Sequence, residues 1–317
     1  MLWKEWCRSV YDSILYLLNI LAESVEPVGY RLRILDFTSK NLLGKALPRN
    51  VELVSDVRSA DIVLADTTSS KGESLIEVLD NLDSKSMVMV LNSIIGVYQY
   101  PELTREITVR GFVRSWLPLD GGVTLFTRRG FDHSFLERTI KVYRESFIYG
   151  PYPVHYNTAY TLYNLAKFIL TRRRGVIVEI GTGRGFSTLW LAHVAKETNS
   201  HIVSIDNNCE RVEYASKVME DFKLDRYVKI LCCDGREYRH DGRDVVFVFI
   251  DGRKDEYHMY LRAIEKYLTP GAIITAHNTL SSAHETTPYI KRVYSEPYKS
   301  ITIATDPAGV TITLYKG

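Results

Sequence analysis

The sequence predicts an α/β protein of two domains, of which the second contains a mostly parallel sheet. Its length of 317 residues is long for one compact domain and suits two. Within residues 176–192 an apolar run, a glycine-rich turn and a helical pattern follow one another, as a strand, a ligand-binding turn and a helix do. Near the C terminus two strand patterns flank a turn at 307–309, which predicts an antiparallel hairpin.

The composition favours a globular protein that does not span a membrane. Hydrophobic residues make up 45% of the chain and charged residues 25%, which is ordinary for a folded domain. The net charge of +2 lacks the strong basic excess of a dedicated nucleic-acid binder. The apolar stretch at 13–22 is too short to span a bilayer and lacks the layout of a signal peptide, so it predicts an amphipathic helix.

The cysteines predict reduced thiols and a cytoplasmic location. Cys7, Cys209, Cys232 and Cys233 show no zinc-like spacing, and the last two are expected to be buried strand residues. A single glutamine, Gln99, stands against 40 basic and 38 acidic residues, a bias typical of thermophilic proteins.

The glycine-rich turn predicts a ligand site at the carboxyl edge of the sheet. The continuous apolar run at 175–180 is typical of a strand buried on both faces. Gly181, Gly183 and Gly185 allow tight backbone angles and leave no side chain in a ligand's path. A dinucleotide-binding turn would have its third glycine where this chain has Phe186, so that fingerprint fails.

Acidic residues accompany the ends of three consecutive predicted strands. Glu179 lies beside the glycine turn, and a carboxylate there suits a cationic ligand better than a pyrophosphate. Asp206 ends the next strand, where two carboxylate oxygens can accept both hydroxyls of a ribose. Asp234 ends the third strand, where an adenine amino group can be held.

With these motifs, residues 176–317 resemble the class I S-adenosylmethionine-dependent methyltransferases, whose Rossmann-like sheet carries an antiparallel last strand. The resemblance implies S-adenosylmethionine as cofactor. The residues it implies for cofactor binding are Glu179, Gly181, Thr182, Gly183, Gly185, Ser187, Asp206, Asp234 and Gly235.

The segment from 245 to 279 is similar to the catechol and caffeoyl-coenzyme A O-methyltransferase group. Asp251, Lys254 and Tyr257 match that group's Asp-x-x-Lys-x-x-Tyr spacing. The resemblance implies a divalent metal at Asp251, His277 and Asn278, although the group has Asp where this chain has His277. Such a metal would lower the pKa of an acceptor hydroxyl, and Lys254 could take the proton as general base.

Simpler interpretations of the same residues remain open. Asp251 could cap the helix that begins near Lys254, and Lys254 could be a solvated helix residue. His277 could be a hydrogen-bonded strand-end histidine rather than a ligand. Tyr149, Tyr152 and His155 could line a substrate pocket or only cover the core.

The first half predicts a smaller α/β domain that echoes the second. When residues 60–93 are aligned with residues 245–279, Asp66 matches Asp251 and Asn92 matches Asn278. The first half lacks a glycine turn, so it is predicted to be a shortened copy of the same architecture that binds no cofactor. We expect domain boundaries at 1–130, 131–148 for a connecting helix and 149–317, with the first domain dimerising or covering the acceptor site.

Three functions fit these observations. The first is O-methylation of a small molecule, such as a catechol-like vicinal diol, by an enzyme that is expected to use Asp251 and Lys254 in catalysis. The second is methylation of RNA or a modified nucleoside. The third is a cofactor-binding protein without turnover. The expected partners are therefore a small-molecule acceptor, RNA in the second case only, and a second copy of the chain in a homodimer.

Overall fold

The protein is described from a computed structural model that covers residues 12–38, 48–66, 79–91, 101–119, 121–242 and 244–317. Two compact units divide the chain, Met1–Arg129 and Gly130–Gly317. The helices, in chain order, are α1 (Asp12–Val25), α2 (Pro101–Val109), α3 (His133–Tyr149), α4 (Tyr156–Leu170), α5 (Phe186–Thr198), α6 (Cys209–Asp221), α7 (Tyr257–Glu265) and α8 (Ala283–Val293). The strands are β1 (Leu32–Asp36), β2 (Val51–Leu53), β3 (Ile62–Asp66), β4 (Met87–Leu91), β5 (Phe112–Leu117), β6 (Val123–Arg128), β7 (Val176–Ile180), β8 (His201–Asp206), β9 (Val228–Cys232), β10 (Val245–Ile250), β11 (Leu268–His277), β12 (Tyr298–Ile303) and β13 (Val310–Tyr315).

The second unit contains a seven-stranded sheet with the order β12-β13-β11-β10-β7-β8-β9. Strands β11, β10, β7, β8 and β9 run parallel, whereas β13 lies antiparallel between β11 and β12. Strand β10 is buried along its whole length, as a central strand with both faces covered must be. The predicted Rossmann-like sheet with an antiparallel last strand is confirmed.

The first unit contains a six-stranded sheet with the order β2-β1-β3-β4-β6-β5. The order repeats that of β8-β7-β10-β11-β13-β12, and each neighbouring pair has the same direction in both sheets. The predicted α/β fold of the first half is therefore confirmed. Among the described residues the first sheet has no strand equivalent to β9, which agrees with the predicted shortened copy.

The two sheets also agree in register. A row of paired residues crosses the first sheet and matches a row in the second: Ile34, Ile62, Met87, Thr127 and Val113 correspond to Ile177, Phe247, Ile273, Leu314 and Lys299. In this correspondence Asp66 matches Asp251, as the sequence echo predicts, while Asn92 lies outside the described residues. The shared register supports a shortened copy of one architecture, and common ancestry stays a prediction.

The register also locates where the first unit differs. Thr38 takes the position that Gly181 has in the second unit, and Asp36 takes that of Glu179. The backbone N–H and the hydroxyl of Thr38 both donate to Oδ1 of Asp36, at 2.8 and 2.6 Å. A side chain therefore occupies the position at which the second unit has the first glycine of its turn.

The apolar stretch near the N terminus forms α1, as predicted. Its buried residues Ile14, Leu17, Leu18, Leu21 and Val25 recur at helical spacing, so one stripe of the helix packs inward. Within the described residues, no helix is long and apolar enough to cross a membrane. The helix predicted at 131–148 is α3, and it falls within the second compact unit.

Candidate active site

A cavity of about 620 Å³ opens at the carboxyl edge of the second sheet. Edges of this kind bind ligands in open α/β folds because the turns that follow parallel strands meet there. The predicted site residues that line the cavity are Gly181, Thr182, Gly183, Ser187, Asp206, Asp234, Gly235, Asp251, Lys254, His277 and Asn278. Glu179 and Gly185 do not line it.

The turn between β7 and α5 requires its glycines. Gly181 has φ +103°, and a Cβ atom there would lie 2.4 Å from the backbone oxygen of Asp251. Gly183 has φ +52°, and its N–H donates to Oδ2 of Asp206 at 2.9 Å. The turn therefore lies close to the ends of β8 and β10 and presents bare backbone to the cavity.

Glu179 lies behind the turn rather than in the cavity. Its side chain is buried, and its oxygens accept hydrogen bonds at 2.6 Å from the hydroxyls of Ser187, Thr188 and Ser204. Burial outweighs these hydrogen bonds and raises the pKa of Glu179 to about 7. The carboxylate joins the first turn of α5 to β8, so any effect of Glu179 on a ligand passes through the turn.

The two strand-end acids are held by backbone donors. Asp206 accepts the N–H of Asn208 at 3.0 Å on one oxygen and the N–H of Gly183 on the other. Asp234 accepts the N–H of Arg236 at 2.8 Å, and the hydrogen bond from the Arg236 guanidinium lowers the pKa of Asp234. Both carboxylates line the cavity, and although the Arg236 guanidinium binds both oxygens of Asp234, each carboxylate has acceptor sites left for a ligand.

A disulfide joins the elements next to these acids and corrects the expectation of reduced cysteines. Cys209 begins α6 and Cys232 ends β9, and their sulfur atoms are bonded, with Cα atoms 5.1 Å apart. Cys232 is exposed rather than buried, and Cys233 is free and partly buried. The sequence did not predict this pair, because 23 residues separate the two cysteines. Intracellular disulfides are common in hyperthermophiles, so the bond agrees with the thermophilic bias.

Charged side chains gather at the ends of β10 and β11. The ammonium of Lys254 lies 2.6 Å from Oδ1 of Asp251, and Nδ1 of His277 lies 3.5 Å from the same oxygen. Burial would raise the pKa of Asp251, but the charges of Lys254 and His277 outweigh it and lower that pKa. Asp251 thus binds the Lys254 side chain instead of capping a helix, and Lys254 is paired rather than freely solvated.

Asp306 belongs to this cluster although no motif pointed to it. It lies in the turn between β12 and β13, and its Oδ2 is 2.9 Å from Nε2 of His277. Burial would lower the pKa of His277, but Asp251 and Asp306 outweigh it and raise the pKa to about 9. No local sequence pattern identifies Asp306, because 29 residues separate it from His277 and only strand pairing brings the two together.

The residues predicted to bind a metal have only some of the features of a metal site. Nδ1 of His277 is buried without a hydrogen-bond partner and faces Asp251, so two donor atoms converge. Asn278 lines the same cavity, but its amide nitrogen donates to Ser281 at 3.1 Å. In the part of the chain that the structure describes, no three His, Cys, Asp or Glu side chains are grouped to hold a metal. The protein could therefore supply only an open site with two or three ligands.

Aromatic side chains form another wall of the cavity. Tyr143, Phe147 and Tyr152 line it, with ring centroids 5.1 Å apart for the first pair and 5.6 Å for the second. His155 also lines the cavity, while its Nδ1 accepts the N–H of Asn157 at the start of α4. The sequence suggested Tyr149, Tyr152 and His155 as pocket residues. Tyr152 and His155 are in the lining, whereas Tyr149 is exposed, lies outside the lining and packs against the Arg184 guanidinium.

Comparison with known proteins agrees with this architecture. Residues 178–279 match a family model described as a methyltransferase domain. No curated protein matches the chain at a significant level.

Three solved structures share the fold. The methyltransferase PaMTH1 of Podospora anserina, bound to S-adenosylhomocysteine, is 14% identical, with a TM-score of 0.50 over 59% of this chain and 97% of that one. The O-methyltransferase TomG of Streptomyces achromogenes, in complex with S-adenosylmethionine, is 20% identical, with a TM-score of 0.50 over 59% and 92%. A Staphylococcus aureus protein assigned as a caffeoyl-CoA O-methyltransferase is 19% identical, with a TM-score of 0.50 over 58% and 95%.

The second unit thus contains a methyltransferase domain, matched over residues 178–279. Its fold is that of the catechol and caffeoyl-CoA O-methyltransferase group.

Proposed function

We propose that the second unit transfers the methyl group of S-adenosylmethionine to an oxygen of a small aromatic molecule. One observation carries the proposal: the glycine turn, the strand-end acids and the Lys254 cluster all line a single cavity. That arrangement gives one end of the cavity to a nucleoside and the other end to a reacting oxygen.

The cofactor end is built by β7, β8 and β9. The N–H groups of the turn and the carboxylate of Asp206 are suited to the ribose, and Asp234 with Gly235 is suited to the adenine. The carboxylates of Asp206, Asp234 and Asp251 line this edge and accept hydrogen bonds, so they suit the hydroxyls and amino group of a nucleoside better than a pyrophosphate.

The acceptor end is built by β10, β11 and the turn before β13. Methyl transfer requires an oxyanion, whereas a phenol has a reference pKa of about 10. The Lys254 ammonium is partly buried and lies where it can stabilise negative charge on an acceptor oxygen. Asp251 holds this ammonium at 2.6 Å, so its position does not depend on the acceptor.

The aromatic wall favours a planar acceptor. Tyr143, Phe147 and Tyr152 offer ring faces and edges to the cavity, and aromatic pairs gain about 0.5–1.5 kcal/mol beyond burial. A phenol or catechol ring would pack there with its oxygen towards Lys254. A divalent metal, when bound at Asp251 and His277, would lower the pKa of the acceptor hydroxyl.

Two measurements test the proposal. Calorimetry should show that the full chain binds S-adenosylhomocysteine, and labelled S-adenosylmethionine should give labelled products from simple phenols or catechols. Tight cofactor binding without product from any acceptor would favour the third function, a binding protein without turnover. Transfer to RNA, with binding that weakens steeply as salt rises, would favour the second.

A further inference from the structure

The lysine and arginine side chains that line the cavity differ in whether an acid neutralises them. In the described part of the chain they are Arg184, Arg211, Arg253 and Lys254. Three of them form ion pairs: Arg211 with Asp206 at 3.8 Å, Arg253 with Asp255 at 3.0 Å and Lys254 with Asp251 at 2.6 Å. Among the described residues Arg184 has no acidic partner, and its Nε is buried without a hydrogen-bond partner. Its charge is therefore available to a ligand in the cavity.

Two tyrosine rings hold the Arg184 guanidinium in place. Its Cζ lies 4.1 Å from the ring centroid of Tyr214 on α6 and 5.0 Å from that of Tyr149 at the end of α3. The Tyr214 hydroxyl donates to Glu145, which fixes this ring in turn. Stacking uses the flat face of a guanidinium and leaves its N–H donors, which lie in the plane, for a planar anion. Arg184 is thus ordered without being neutralised.

The other polar side chains of the glycine turn and the start of α5 are already engaged. The hydroxyls of Ser187 and Thr188 each donate to Glu179 at 2.6 Å. The hydroxyl of Thr182 is hydrogen-bonded at 2.6 Å to a serine hydroxyl of β8. The guanidinium of Arg184 is therefore the side-chain donor that this turn can offer to a negatively charged group.

Acids line much of the remaining wall of the cavity and disfavour a ligand carboxylate there. They are Asp206, Asp234, Asp251 and Asp306. A carboxylate beside any of them would meet a charge of its own sign. A carboxylate inside the cavity is therefore most stable next to Arg184.

We propose that Arg184 binds the carboxylate of a ligand through its in-plane N–H donors. The planar fork of a guanidinium matches a carboxylate with two parallel hydrogen bonds. The inference rests on the proposed function, because that function supplies both sources of such a group. One source is the amino-acid end of S-adenosylmethionine, and the other is an acid substituent on the aromatic acceptor.

Calorimetry on the full chain tests the cofactor as the source. 5′-Methylthioadenosine has the nucleoside and the thioether of S-adenosylhomocysteine but lacks the amino-acid end. Arg184→Met should weaken binding of S-adenosylhomocysteine by about 10- to 100-fold, as the loss of a hydrogen bond between charged groups does, and leave the affinity for 5′-methylthioadenosine unchanged. Arg184→Lys, which keeps the charge but not the planar fork, should lose less. Arg226→Met is the matched control, because Arg226 is exposed, stacks on Tyr227 at 4.8 Å and lies outside the cavity lining.

The acceptor as the source is tested with 3,4-dihydroxybenzoate and its methyl ester, each titrated in the presence of S-adenosylhomocysteine. If the acceptor supplies the carboxylate, Arg184→Met should weaken binding of the acid by the same factor. The affinities for the ester and for S-adenosylhomocysteine should then remain those of the wild type.

The wild-type protein provides a measurement that holds even if the Arg184 variants fail to fold. It should bind S-adenosylhomocysteine more tightly than the carboxamide of that molecule, or the benzoate more tightly than its ester, by about 10-fold or more. A wild type that binds S-adenosylhomocysteine without a preference in either pair would overturn the inference and leave the proposed function standing. Arg184→Met with wild-type affinity for every one of these molecules would do the same. Protein that binds no S-adenosylhomocysteine would instead refute the proposed function.

Discussion

The N–H of Gly183 donates to Oδ2 of Asp206 at 2.9 Å, which ties the turn after β7 to the end of β8. Both residues line the same cavity, and the bond depends on a left-handed backbone at Gly183 with φ +52°. The shape of the cofactor end therefore rests on a residue without a side chain.

Gly183→Val should abolish binding of S-adenosylhomocysteine, measured by calorimetry. The branched side chain would enter the cavity and meet Pro151, where even a Cβ would lie 3.0 Å from Cγ. The left-handed backbone adds a cost of about 1–2 kcal/mol. Gly29→Val is the matched control, because Gly29 has φ +70° and open space around it. Equal affinity in the Gly183 variant would refute the assignment of the turn to the cofactor.

Glu179→Gln should flatten the pH dependence of stability in the ligand-free protein. The folded pKa is about 7 against an ordinary 4.5, so the stabilisation is present below pH 4.5 and is lost as the pH rises through 7. The wild type should lose on the order of 3 kcal/mol of unfolding free energy over that range, and the glutamine variant should not. Urea unfolding at pH 5 and pH 8 measures this, with the exposed Glu285→Gln as control. Parallel pH profiles for Glu179→Gln and wild type would contradict it.

Removing the disulfide should destabilise the second unit. Replacing Cys209 and Cys232 by serine opens a loop of 23 residues, which corresponds to about 3 kcal/mol in the chain-entropy account. The melting temperature of the variant should fall. A reductant should lower the melting temperature of the wild type by the same amount and leave that of the variant unchanged. Cys233→Ser is the control, since Cys233 is free. A wild type that melts at one temperature with and without reductant would show that the bond contributes nothing.

Lys254→Met should lower kcat for methyl transfer by about 100-fold or more and leave S-adenosylhomocysteine affinity unchanged. The ammonium acts on the acceptor oxygen and lies beside Asp251, away from the nucleoside end. Lys217→Met, on an exposed part of α6, removes the same charge without a change in rate. A parallel loss of cofactor affinity and rate would assign Lys254 to binding instead.

One S-adenosylhomocysteine should bind per chain, because the first unit has Thr38 where the second has Gly181. Calorimetric stoichiometry gives the number directly, and light scattering of the same sample tests the expected homodimer. Two sites per chain would show that the first unit also holds the cofactor.

Local patterns predicted much of the second unit. The apolar run at 176–180, the spacing of Gly181, Gly183 and Gly185, and the hairpin near the C terminus each depend on neighbouring residues. Because parallel strands place their carboxyl ends on one edge, Asp206, Asp234 and Asp251 could be assigned to one cavity before any coordinates.

Orientation and long-range pairing were decided only by the tertiary structure. The sequence placed Glu179 beside the turn, but three hydroxyls from α5 and β8 draw its carboxylate away from the cavity. Asp306 meets His277, and Cys209 meets Cys232, because strand order brings together residues that are far apart along the chain. Periodicity reports which face of an element is apolar, whereas the partner of a buried polar atom depends on every element packed around it.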